Sequence, residues 1–105
     1  MNVVVENRTL HVRPPQPLEA PFAADIAAEI SSLLQTMRDF DRVRIDLSGF
    51  GIPDAAGWSV LLAAANECRA LSLEFRVLLP AGAAALASDL RLHRLMVVEN
   101  PEASP

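Results

Sequence analysis

Two rhythms of apolar residues alternate along this chain. Val3-Val4-Val5 is short and β-branched, and Thr9–Arg13 ("TLHVR") alternates with a period of two. Glu6-Asn7-Arg8 between them is turn-like, so the two stretches read as a hairpin or paired strands. "PPQPLEAP", Pro14–Pro21, then holds four of the chain's eight prolines and extends neither strand nor helix. From about Phe22 the period changes. Phe22, Ile26, Ile30, Leu33, Leu34 and Met37 recur at three- and four-residue steps, with Asp25, Glu29, Ser32 and Thr36 opposite them. That spacing predicts an amphipathic helix laid on a sheet, its acidic residues near the favourable N-terminal half.

The period returns to two in "RVRIDLSG", where Val43, Ile45 and Leu47 face one way and Arg44 and Asp46 the other. Ser48-Gly49-Phe50-Gly51 is an exit loop. A second helix is expected from about Ala55 to Leu71, with Leu61, Ala64, Ala65 and Cys68 inside and Ser59, Asn66 and Glu67 outside. "LEFRVLLP" reads as a strand stopped by Pro80, "AGAAALASDL" as a small third helix, and "HRLMVVE" as a last short strand. The order β-β-α-β-α-β-α-β argues for a largely parallel sheet covered by helices. One domain is expected over residues 1–99, with 100–105 a disordered tail.

Charge narrows the partners. The net charge is −4, and all nine basic residues are arginine. Arg38, Arg42 and Arg44 alternate with Asp39, Asp41 and Asp46, which predicts a mixed solvated surface and no nucleic-acid footprint. Without lysine there is no Walker A lysine and no Schiff base. No apolar run approaches the ~20 residues of a membrane span, and the N-terminus lacks the basic region of a signal peptide. A cytoplasmic domain is therefore expected, with no insertion into a membrane. The lone cysteine, Cys68, falls in an apolar helical pattern and reads as a small buried hydrophobe.

Chemistry is sparse. His11 and His93 have no second ligand at metal-site spacing. Gly49 and Gly51 follow a strand and precede a helix, but the position of a dinucleotide motif's third glycine is Asp54, which would repel a pyrophosphate. No cofactor, metal or catalytic residue is expected. Asp54 instead reads as a helix cap, its carboxylate accepting from unpaired N–H groups. Gly57 costs helix stability, which implies that something passes close to the backbone there. A neighbouring loop and a docking partner both fit.

Together, "VRIDLSGFGIPDAAGWSVLLAAANECRAL" resembles the core of the STAS family, the sulfate transporter and anti-sigma factor antagonist domains. Asp46-Leu47-Ser48 matches that family's strand ending. Asp54-Ala55-Ala56-Gly57 matches its Asp-Ser-Ser-Gly helix opening with both serines replaced. The resemblance spans about Arg42 to Val98, and the proline-rich loop departs from the family pattern. It implies a STAS-like mixed, mostly parallel sheet of four or five strands with three or four helices. It also implies a non-enzymatic interaction module.

In the family's bacterial signalling members the second serine is phosphorylated by a partner that is both kinase and anti-sigma factor. Ala56 stands at that position and cannot be phosphorylated, so no switch is expected there. Ser59, one turn on, is read as an ordinary helical hydroxyl rather than a displaced phosphoacceptor. The implied docking surface is Asp54, Ala55, Ala56, Gly57 and Ser59, flanked by Trp58 and Phe50 as apolar anchors; for Trp58, packing on the sheet is the slightly favoured alternative. Two partners suit this reading. One is a kinase-like anti-sigma or sensor-type regulator in partner-switching signalling. The other is the cytoplasmic ATPase of a lipid-type ABC transporter, with the chain as its accessory subunit.

Overall fold

The computed structural model describes residues 1–80, 82–83 and 97–99. Strands β1 (Asn2–Glu6) and β2 (Thr9–Arg13) form an antiparallel hairpin, followed by helix α1 (Ala20–Thr36), strand β3 (Arg42–Asp46), helix α2 (Ala55–Ala70), strand β4 (Glu74–Leu78) and strand β5 (Val97–Glu99). The five strands make one sheet in the order β1-β2-β3-β4-β5, parallel from β2 onward. The mixed, mostly parallel sheet expected from the sequence is thus present. The described residues hold two helices rather than three or four. The expected third helix, at residues 81–90, lies almost wholly outside them, as do His93 and residues 100–105.

The β2–β3 and β3–β4 steps each move to the adjacent strand through a helix, so α1 and α2 share one face of the sheet. The alternation in β2, β3 and β4 explains this layering. Leu10, Val43, Ile45 and Val77 point at the helices and are fully buried. They meet Ala23, Ile26, Ile30 and Leu34 of α1, and Val60, Leu61, Ala64, Ala65 and Cys68 of α2. Each large aliphatic side chain buried so completely contributes roughly 2 kcal/mol from leaving water. Between the helices, Ser31 Oγ donates to Glu67 Oε1 at 2.7 Å, so Glu67 is half-buried rather than outside as its sequence position suggested.

The opposite face carries charge. Arg42 pairs with Glu74 on the adjacent strand, Arg76 also reaches Glu74 at 3.2 Å, and Arg44 reaches Glu99 across the sheet at 2.9 Å. The alternating arginines of β3 are therefore cross-strand partners as well as solvated groups.

Helix α2 ends with Ser72 in the left-handed region, φ 61°, and Leu73 N–H donates back to the Cys68 carbonyl at 2.8 Å. That closure satisfies carbonyls which would otherwise lack donors. Cys68 itself has no solvent exposure, and burial followed by the nearby Glu67 charge pushes its thiol up to about 12. Iodoacetamide is therefore expected to leave native Cys68 unmodified near neutral pH and to alkylate it fully in strong denaturant. Rapid native labelling, followed by mass spectrometry, would contradict this burial.

Candidate functional site

The start of α2 is built around one carboxylate. Asp54 is the N-cap residue, in extended conformation, and its Oδ1 accepts from Gly57 N–H at 2.9 Å. Its Oδ2 accepts from Ala20 N–H, also at 2.9 Å, although Ala20 lies 34 residues earlier at the start of α1. The reason lies in the sequence before α1. Glu19 occupies that helix's N-cap position and makes no side-chain cap hydrogen bond. Pro21 in the first turn has no N–H to satisfy. The remaining unpaired donor of the turn is met by Asp54 instead, so one side chain caps two helices.

Gly57 is explained by the same junction. A Cβ at this position would lie 2.0 Å from the Leu18 carbonyl oxygen and 2.9 Å from Pro53 Cβ. The close neighbour anticipated from the sequence is thus the proline-rich loop, which runs directly over the first turn of α2. At Gly49 a Cβ would meet only the tip of the exposed Arg13 side chain, with Nη2 2.8 Å away, which can swing aside.

The remaining residues divide by exposure. Trp58 is buried, 7% exposed, and its indole Nε1 has no hydrogen-bond partner among the described residues. It therefore belongs to the core and cannot serve as a surface anchor. Gly57 is buried too. Asp54, Ala55 and Ser59 are exposed, while Ala56 and Phe50 are half-buried against the core. Ser59 Oγ donates to the Ala55 carbonyl at 3.0 Å. In the preceding loop, the Ser48 amide and hydroxyl both donate to Asp46 Oδ1, at 2.9 and 2.6 Å. The sequence reading passed over Ile52, a large apolar side chain left 47% exposed beside Asp54. Its place between Gly51 and a buried Pro53, on a loop rather than a periodic element, gave no amphipathic signal.

The glycine loop holds no ready anion cradle. The N–H groups that a phosphate would use at the start of α2 face the Asp54 carboxylate, which also draws on the Ala56 amide. Among the described residues, no group of three His, Cys, Asp or Glu side chains could hold a metal ion, and no helix is long and apolar enough to cross a membrane.

This arrangement of sheet and helices is also seen in solved structures. The Thermotoga maritima protein TM1081, described in its crystal structure as a candidate anti-sigma factor antagonist, matches with a TM-score of 0.81 at 13% identity, over 93% of this chain and 84% of that one. The anti-sigma factor antagonist SpoIIAA in its unphosphorylated form matches with a TM-score of 0.74 at 17% identity, over 96% of this chain and 89% of that one. This chain has the STAS fold. At these identities the likeness is one of fold. No family model matches the sequence, and no curated protein matches it.

Within this STAS fold the helix-two junction is a structural joint with a small exposed rim. Two consequences can be measured. Gly57→Ala would gain helix propensity of about 1 kcal/mol, but it drives a Cβ into backbone, and overpacking of that kind costs about 3 kcal/mol. A net loss of about 2 kcal/mol is expected in urea unfolding followed by the fluorescence of Trp58, the chain's single tryptophan. An unchanged or raised midpoint would show that the Leu18 loop yields freely.

The second concerns acid. Hydrogen bonds from Gly57 and then Ala20 hold the Asp54 carboxyl below its ordinary 3.8. A carboxyl lowered in the folded state stabilises the fold above 3.8, and that contribution is lost as pH falls through the lower folded value. Asp46 moves the same way: burial opposes the shift, but bonds from Ser48 outweigh it. Asp54→Asn is thus expected to flatten, without abolishing, the fall in stability below about pH 4. An acid profile identical to wild type would remove Asp54 from the stability of the junction.

Proposed function

We propose that this chain is a non-enzymatic interaction module of the anti-sigma factor antagonist type, docking a kinase-like regulator through the start of α2 without being switched there by phosphorylation. The observation that carries this reading is the chemistry of the exposed rim. Ala55 and Ala56 occupy the positions that resemble the family's two serines, and the exposed Ile52 and half-exposed Phe50 lie in the adjoining loop. Small and apolar groups at a surface suit burial against a protein partner. The likeness in fold to SpoIIAA supports the same reading.

The absence of a switch follows from the residues. Alanine has no hydroxyl to modify. The nearby hydroxyls of Ser59 and Ser48 are engaged with the Ala55 carbonyl and the Asp46 carboxylate. In antagonists with a serine here, a phosphate would be tolerated by the helix start while adding close to two negative charges to the docking surface. The alanines leave that surface permanently without the added charge, so the module binds constitutively.

Ala56→Glu imposes a charge at the same place. A carboxylate in the first turn suits the helix dipole, so the fold is expected to persist. Binding to the regulator is expected to weaken at least about a hundredfold, since an unmatched charge in an interface costs several kcal/mol. Ala55→Glu places the charge at an exposed position and guards against a packing effect of the half-buried residue. Co-purification from the source cells, with circular dichroism on both variants, tests the reading. Capture of a histidine-kinase-like ATPase by wild type alone is the expected result. Capture of an ABC-transporter ATPase would instead favour the accessory-subunit role and remove the sigma-factor analogy.

A further inference from the structure

Among the described residues, the sheet ends in a strand whose outer edge is unpaired. Strand β1 lies at the edge and, among the described residues, pairs with β2 alone. It has no proline, lysine or bulge, the devices that normally blunt an edge. Val4 is 56% exposed and Val5 37%.

The hairpin geometry fixes which of its backbone groups are free. Asn7 and Arg8 have φ of 52° and 59°, the two positive values of a type I′ turn, and Glu6 pairs with Thr9 across it. The residues flanking such a turn exchange both hydrogen bonds, and the pattern alternates outward. Glu6, Val4 and Asn2 therefore bond to β2. The N–H and C=O of Val3 and Val5 point away from the sheet. The Arg8 carbonyl, which accepts from Asp41 N–H on the β3 side at 2.9 Å, sets the same alternation in β2.

The geometry points to a second copy of this chain as the occupant of that edge, paired antiparallel through β1 with its two-fold axis at Val4. The alternation of free groups requires a register in which Val3 and Val5 of one copy face outward-bonding residues of the other. Centring on Val4 sets Val3 opposite Val5 of the second copy, and Val5 opposite Val3, with four backbone hydrogen bonds. Val4 meets Val4. Asn2 meets Glu6, so no like charges face each other. Shifting the centre to Val5 would oppose Val4 to Glu6, and shifting it to Glu6 would oppose two glutamates. A surface hollow of about 270 Å³ beside the strand, lined by Met1, Val3, Glu29, Ser32 and Leu33, leaves further apolar surface on the same edge uncovered. Both copies' helices then lie on one face of a continuous ten-stranded sheet. An interface this small belongs to the weak, micromolar class.

Sedimentation velocity over a concentration series tests this. Wild type is expected to associate reversibly to a dimer. Val4→Lys places two like charges on the axis, and Val5→Pro removes an N–H that β2 does not use. Each is expected to weaken association at least tenfold with unchanged circular dichroism. Should Val5→Pro disturb the hairpin, Val4→Lys carries the comparison. The Val3 and Val5 amides are expected to exchange more slowly as wild-type concentration rises. A wild-type monomer at all concentrations, or a dimer indifferent to Val4→Lys, would overturn the proposal. Ala56→Glu is expected to leave the dimer intact, so failure of the regulator-docking reading is separable from failure here.

Discussion

A helix that begins without a capping side chain of its own must find acceptors for its first N–H groups elsewhere. In this chain α1 finds one 34 residues away, on Asp54, while the same carboxylate caps α2. Two helix starts, each with a partial positive charge, converge on one negative group. The arrangement fixes the two helices relative to each other at one end. Ser31 and Glu67 tie them further along. It also brings the Leu18 carbonyl down onto α2 so closely that residue 57 has no room for a side chain. The cap, the missing side chain and the path of the proline-rich loop are one constraint.

This joint shapes what the surface can do. The Asp54 carboxylate occupies the anion-binding donors, which leaves the exposed Ala55, Ser59, Gly51 and Ile52, with the half-buried Ala56 and Phe50, as the rim. That rim offers small and apolar groups beside the joint. In the docking proposed above, the partner would meet a helix start whose first N–H groups are already paired with Asp54.

Much of the fold was legible because its signals are local and periodic. The alternation in Val43-Arg44-Ile45-Asp46 reports a strand with one buried face, and the stripe of Leu61, Ala64, Ala65 and Cys68 reports a helix with one. Asp54 was legible as a cap of α2 from its position before Ala55. Its second bond was not, since nothing near Asp54 in sequence announces an uncapped helix far upstream. Gly57 signalled a close approach without saying to what, and the Leu18 carbonyl is visible only once the chain is folded. Trp58 was ambiguous because one aromatic residue in a first helical turn can face either way. Its burial takes away an anchor that the sequence had offered, while Ile52, outside any periodic element, is the large apolar side chain left exposed beside Asp54.

The shared cap is most directly tested by nuclear magnetic resonance on the wild-type protein. The Asp54 carboxyl and the amides of Ala20 and Gly57 are followed together as pH is lowered. Both amides are expected to shift with one midpoint, that of Asp54, below its ordinary 3.8. If Gly57 alone follows that titration, or if the midpoint lies at 3.8 or above, Asp54 does not join the two helices and the account of the junction fails.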